Sequence, residues 1–272
     1  MIPADLHNHT CISHGKDQAS AMLAAAQKRG LAWYGFTEHS PLPSGYECPL
    51  YQGDLAWGFP SYVEEVLRLQ AESSQPQVLL GLELDWLPDK QGYSIDLVRR
   101  WPFDYVLGSV HFLAGLPVGS PRSWGEDVGE EERYARYAAY YAETAALARS
   151  GLVHAVAHVD FIKIRCIESF RHWLSQTGSL DMVADALSAM KAAGVAMELS
   201  SAGLRRPCAE PYPGPAVMRL AADMGLPIVI GSDAHAASEV AAQFDYLEEY
   251  ARSFGYRESL IFIQGQAQSL SF

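Results

Sequence analysis

Short apolar runs recur along the chain, and most are followed by a stretch whose apolar positions repeat at helical spacing. The runs span residues 4–7, 31–36, 78–84, 105–110, 154–159, 195–199 and 226–230. They are apolar at consecutive rather than alternate positions, the pattern of strands buried on both faces of a parallel sheet. Between them, 17–28 reads as a helix capped by Asp17, with Gly30 just beyond its end. Ser61 and Glu64 form a capping-box pattern before VLRLQ. Residues 130–149 repeat at helical spacing and stop at Gly151, and 180–193 stop at Gly194. Pro215 and Gly225 frame another helix, and 237–254 end at Gly255. Alternating strands and helices predict parallel βαβ units, and seven of them close or nearly close a barrel. A last apolar run, 259–263, predicts an edge strand. With no linker or low-complexity tract, residues 1–272 read as one α/β domain.

Two connections are long for such a fold. Residues 41–60 hold Tyr46, Tyr51, Trp57 and Phe59, and residues 112–129 hold Arg122 and Trp124. Long loops at strand ends usually carry function. Apolar residues make up 49% of the chain and charged ones 19%, which excludes disorder and supplies a large core. The net charge of -12 counts against a binder of nucleic-acid backbone. It leaves room for a small phosphorylated substrate, for which a few local cations suffice. Cys11, Cys48, Cys166 and Cys208 are scattered without a CxxC pair, as expected of reduced thiols in the cytoplasm. MIPADLHNHT lacks the basic start and apolar core of a signal peptide. The longest charge-free stretch, 105–121, is broken by Gly, Ser, His and Pro, so no membrane span is expected.

Every predicted strand delivers a metal-competent residue at its carboxyl end. These are His7 and His9 in DLHNHT, His39 in TEHS, Glu83 in GLELDW and His111 in GSVH. His158 and Asp160 follow in AHVD, Glu198 in MELSS, and Asp233 and His235 in GSDAH. Barrel active sites are built on that face. His14 lies in the loop after the first strand, while His154 and His172 lack such a position and read as structural. Imidazole with carboxylate suits Zn, Mn or Fe. On a strand, residues i and i+2 point to one side, so His7 with His9, His158 with Asp160, and Asp233 with His235 can each serve one ion. So many donors exceed the needs of a single ion. A cluster of two or three is predicted, with a carboxylate such as Glu83 able to bridge.

The segments HNHT…SH, TEHS, GLELD, SVH, AHVD and GSDAH resemble, in order and over essentially the whole chain, the motifs of the PHP (polymerase and histidinol phosphatase) superfamily. MELSSAGLRRPCAEPYP and HVDFIKIR resemble its histidinol-phosphate phosphatase branch. Ser200 stands where many relatives carry Asn, a departure that touches no ligand. The resemblance implies a distorted, TIM-like (β/α)7 barrel holding three divalent metal ions. His7, His9, Glu83 and Asp233 would hold the first. Glu83, bridging, would join His111 and His158 on the second. His14, His39 and His235 would hold the third. The implied reaction is hydrolysis of L-histidinol phosphate to L-histidinol and phosphate, in histidine biosynthesis. Asp160 is expected to orient a ligand or to donate a proton. Arg165, Arg205, Arg206 and Lys163 follow strands five and six and are expected to complete a phosphate site. Glu198 is the candidate partner for the substrate's amine. The alternative is a phosphoesterase of the same superfamily acting on nucleotides or nucleoside bisphosphates; the acidic charge counts against DNA or RNA but leaves a nucleoside bisphosphate open. A docking module fits less well, because the implied ligand set is intact. Barrels that cleave C–N bonds often use a carboxylated lysine, and no Lys sits at a predicted strand end.

Overall fold

The computed structural model describes residues 1–48, 50, 55–125 and 128–272; Tyr51 and residues 126–127 of the two long loops lie outside them. Seven parallel strands follow one another around a barrel in sequence order. They are β1 (Ala4–Asp5), β2 (Trp33–His39), β3 (Gln77–Asp85), β4 (Tyr105–Ser109), β5 (Ala155–Val156), β6 (Ala196–Ser200) and β7 (Ile228–Gly231). The ring is nearly closed: Leu6 N–H donates to the Ile230 carbonyl at 2.9 Å, and Asn8 forms an isolated parallel bridge with Ala234. This is the TIM-like barrel that the alternating runs predict.

Eight helices surround the sheet among the described residues: α1 (Ala19–Lys28), α2 (Leu55–Glu72), α3 (Gln91–Arg100), α4 (Glu130–Arg149), α5 (Ile167–Leu174), α6 (Ser179–Ala193), α7 (Pro215–Met224) and α8 (Phe244–Ser253). Their apolar faces bury Met22, Val63, Leu147, Met190 and Leu247 in one core with Phe36, Leu80, Val106 and Met197 of the strands. Each such side chain contributes roughly 1.5–3 kcal/mol.

Several boundaries differ from expectation, each for a local reason. Asp17 does not cap α1; its carboxylate accepts the Ala237 N–H at 2.8 Å and ties this loop to the one after β7. Helix α2 starts before Ser61, so Ser61 and Glu64 are interior positions. The stretch 237–254 is a 3₁₀ turn and then α8, separated by Ala241 and Gln243 at φ 50° and 60°. Helices α3 and α5 were not predicted.

The strand pleat organises the barrel interior. Near the amino-terminal end, Ala4, Leu6, Leu79, Leu107, Ala155, Ala157, Ala196 and Val229 form a small second core. Most are small, and Tyr105 fills the space they leave, its hydroxyl donating to the Leu6 carbonyl at 2.7 Å. Gly35 and Gly81 make way for this ring: a Cβ on Gly35 would lie 1.8 Å from the phenol oxygen. The run 259–263 is not an edge of the barrel. It belongs to β8 (Glu258–Ile263), paired antiparallel with β9 (Gln266–Ser271), because the ring of β1–β7 leaves no free edge for it. This hairpin inserts Ile261 and Phe262 beneath the second core. Asp104 holds its tip, accepting the N–H groups of Gln264 and Gly265 at 3.0 and 2.8 Å. His154 is structural, as expected, its Nδ1 accepting the Val106 N–H at 3.0 Å. No helix among the described residues is long and apolar enough to cross a membrane.

Candidate metal centre

The inward positions that are small at the barrel floor become chemical at its mouth. Two residues beyond Gly81 on β3 stands Glu83, two beyond Leu107 on β4 stands Ser109, and two beyond Ala196 on β6 stands Glu198, all on the inner face. Residues 7–9 lie past the β1 ladder, but the Asn8 bridge keeps them extended. His7 and His9 therefore project together, their ring centroids 5.1 Å apart. Asp5, fully buried, fixes the start of this segment by accepting from Ser232 N–H (2.8 Å), Ser232 Oγ (2.6 Å) and Ala241 N–H (2.9 Å).

Glu83 is the hub. Its Oε2 lies 2.8 Å from His39 Nδ1 and 3.4 Å from both His7 Nε2 and His9 Nε2. Its Oε1 lies 3.0 Å from His158 Nε2 and 3.6 Å from His111 Nε2, and accepts from Ser109 Oγ at 2.6 Å. One carboxylate thus faces two groups of imidazoles with different oxygens, the disposition of a bridging ligand. Asp233 Oδ1 lies 3.3 Å from His9 Nε2, 3.4 Å from His235 Nδ1 and 3.9 Å from His7 Nε2. His14 Nε2 lies 2.9 Å from His39 Nε2 and 3.2 Å from His235 Nε2. All nine side chains expected as ligands meet in one place. Donor atoms also come together across the expected sets, in His7–Glu83–His158, His9–His39–His235 and His39–Asp85–His111, each within 4.8 Å.

The electrostatics call for cations. Burial would raise the Glu83 carboxyl, but His39, His7 and His111 hold it well below the usual range. Asp233 is likewise lowered against burial, by His7 and His235. Burial would lower His9, yet Asp233 and Glu38 pull it up to about 9. Burial and neighbouring imidazoles press His14 down to about 2 and His235 down to about 3, toward the neutral ring that ligates metal. The buried atoms His7 Nε2, His9 Nε2 and Glu83 Oε2 make no hydrogen bond. Buried polar atoms without partners are costly, and convergent imidazole and carboxylate donors fit divalent ions.

Carboxylates behind the imidazoles set their orientation. Glu198 accepts from His7 Nδ1 at 2.7 Å, Asp85 accepts from His111 Nδ1 at 2.8 Å, and Glu38 lies 3.5 Å from His9 Nδ1. A carboxylate on one ring nitrogen fixes the proton there and leaves the other nitrogen as a donor to metal. Asp85 and Glu38 were not singled out from sequence. Asp85 follows Glu83 by two residues in GLELD, and Glu38 adjoins His39 in TEHS. Those spacings were the available signal.

The remaining predicted residues divide. Arg205 stands at the rim, its Nη2 donating to the carbonyls of Ser232 (2.6 Å) and Asp233 (3.4 Å). Arg165 is exposed and donates through Nε to the Gly119 carbonyl at 3.0 Å, tying the segment after β5 to the second long loop. Arg206 is exposed. Lys163 is not a phosphate ligand: it is fully buried, and its ammonium is taken by Asp160 Oδ2 (2.8 Å), the Pro211 carbonyl (2.8 Å) and Glu210 Oε2 (3.3 Å). Asp160 does not share a side with His158 as a strand would require. His158 sits at φ 27° and ends the extended run, so Asp160 Oδ2 turns to Lys163 and to the Gly214 N–H at 2.8 Å. Glu198 does not meet a substrate amine, since both its oxygens are occupied inside the protein. Phe161 forms a wall over the centre, its ring 4.9 Å from that of His158 and 5.4 Å from that of His111.

Comparison with known proteins agrees with this geometry. The sequence profile of the PHP domain matches residues 5–202. The chain is 33% identical over 259 residues to a Deinococcus radiodurans protein named "Probable histidinol-phosphatase", covering 93% of this chain and 94% of that one. It is 27% identical over 267 residues to the histidinol-phosphatase of Bacillus subtilis, covering 90% and 98%. In structure it resembles the histidinol phosphate phosphatase of Lactococcus lactis, crystallised with zinc, L-histidinol and phosphate, with a TM-score of 0.81 at 18% identity over 98% of both chains. A profile that spans most of the chain, and a relative that aligns along nearly all of it, make this chain a member of the PHP domain family.

Proposed function

We propose that the chain is a histidinol-phosphatase, a metal-dependent hydrolase that cleaves L-histidinol phosphate to L-histidinol and phosphate. The observation that carries this reading is Glu83, with one oxygen toward His7, His9 and His39 and the other toward His111 and His158. The relatives named above supply the substrate. His7, His9, Glu83 and Asp233 would hold one divalent ion; Glu83, His111 and His158 would hold a second; His14, His39 and His235 would hold a third. Bound there, such ions acidify a water and neutralise charge on phosphoryl oxygens. Glu83 would be the ligand shared by the first two. Arg205, anchored on the backbone of the loop that carries Asp233, presents its guanidinium to the phosphate, and Arg165 approaches from the facing loop. Burial raises the Asp160 carboxyl, and Lys163 and the Gly214 N–H fix its position, which suits a group that orients the segment carrying His158. Residues 1–272 act as one domain. Four cysteines scattered without a CxxC pair suit a protein of the reducing cytoplasm.

The test is phosphate release from L-histidinol phosphate, compared with nucleoside monophosphates and bisphosphates, before and after chelation. Turnover is expected to favour histidinol phosphate, vanish with the metal, and return with Zn, Mn or Fe. Full turnover after metal removal would overturn the mechanism, and a preference for nucleotides would overturn the substrate.

A further inference from the structure

Glu198 lies on the inner face of β6 and is entirely buried. Its Oε1 is 2.7 Å from His7 Nδ1 on the β1 side, and its Oε2 accepts the His158 backbone N–H at 2.7 Å on the β5 side. A carboxylate can only accept, so His7 must carry its proton on Nδ1. That leaves the Nε2 lone pair facing Glu83 and Asp233, 3.4 and 3.9 Å away. The second contact acts on backbone instead. His158 has φ 27°, a conformation that costs a non-glycine residue energy and persists only where its surroundings enforce it. The Glu198 bond to its N–H is one such restraint, and in this conformation His158 Nε2 lies 3.0 Å from Glu83 Oε1. Gly231 of β7 leaves the space: a Cβ there would fall 2.3 Å from Glu198 Oε1 and 2.6 Å from His7 Cβ.

We infer that Glu198 is a positioning residue that couples two ion sites, fixing the tautomer of a ligand to the first and the backbone of a ligand to the second. This rests on the ligand assignment proposed above. Glu198 touches neither substrate nor ion, and its effect is read in metal retention at both sites together.

Glu198→Gln tests this. The amide keeps the volume but offers one acceptor oxygen where two N–H groups need acceptors. Zinc-loaded wild type and variant are desalted, their metal content is measured, and zinc affinity is titrated against a chelating dye. The wild type is expected to keep all three ions. The variant should lose the two Glu83-bridged ions together, each bound roughly 10–100-fold more weakly, as is typical when a residue supporting a ligand is altered. The ion at His14, His39 and His235 should stay. Retention like that of the wild type, or loss of a single ion, overturns the coupling. A wild type that never holds three ions defeats the ligand assignment instead. Nitrogen-detected NMR of the histidine rings in the zinc-loaded wild type gives a reading independent of the variant's folding: His7 should carry its proton on Nδ1, and a proton on Nε2 overturns the inference.

Discussion

Glu83 is the side chain with the largest consequence per atom. It is 1% exposed and faces five imidazoles, so truncation would remove the carboxylate proposed to be shared by two ions and leave the histidines pressed together. Glu83→Ala should lose both ions and at least about a thousandfold in kcat, the scale on which electrostatic stabilisers of a transition state act. Metal analysis with steady-state assays checks both halves. Arg205 is different in kind. Its anchors on the Ser232 and Asp233 carbonyls hold the guanidinium at the rim, where as proposed above it would clamp an anion. Arg205→Ala should raise KM for histidinol phosphate about tenfold or more while lowering kcat less, a loss near 1.5–3 kcal/mol for a charge-assisted hydrogen bond. Unchanged kinetics would remove Arg205 from the phosphate site.

At the level of elements, the hairpin of β8 and β9 separates stability from chemistry. Phe262 fills the barrel floor, far from Glu83 along the strands. Phe262→Ala should cost about 3–5 kcal/mol in urea unfolding, the usual penalty for such a truncation, with kcat unchanged in the folded fraction. The same hairpin marks a limit of what sequence reveals. The barrel strands are legible because both faces are buried: Val78, Leu79 and Leu80 are all within 2% exposure. Strand β9 reads QAQSLS, polar and largely exposed, and leaves no such trace. Helix α5 is only eight residues long, and α3 carries Gly92 and Ser94 in its first turns. Most of the candidate ligands, His14 in the loop after the first run being the exception, were legible for a geometric reason, since they end apolar runs. The residues that orient them were not, because their roles are set by partners far away in the chain; Glu198 and His7 are 191 positions apart. Asp160 misleads for the opposite reason, since a single positive φ at His158 breaks the alternation on which the spacing argument relies.

At the level of the whole molecule, a polar cluster of this size is a stability liability unless cations fill it. Its carboxylates and four of its seven imidazoles are buried, and His14, His39 and His235 crowd one another. A ligand present at a hundred times its Kd stabilises the folded state by about 2.7 kcal/mol. For a chain of this length that corresponds to roughly 5–10 °C in Tm. Scanning calorimetry with and without chelator should show a drop of that order, reversed by adding divalent metal. An unchanged Tm would mean that the ions contribute little to folding.

The plug formed by Ile261, Phe262 and Tyr105 has a final consequence for traffic. Among the described residues, a barrel stoppered at its floor is open toward its rim. An ester and water arriving by that rim would pass Arg205 and Phe161, and the alcohol and phosphate would leave the same way. Departure of one molecule and admission of the next therefore compete for the same opening.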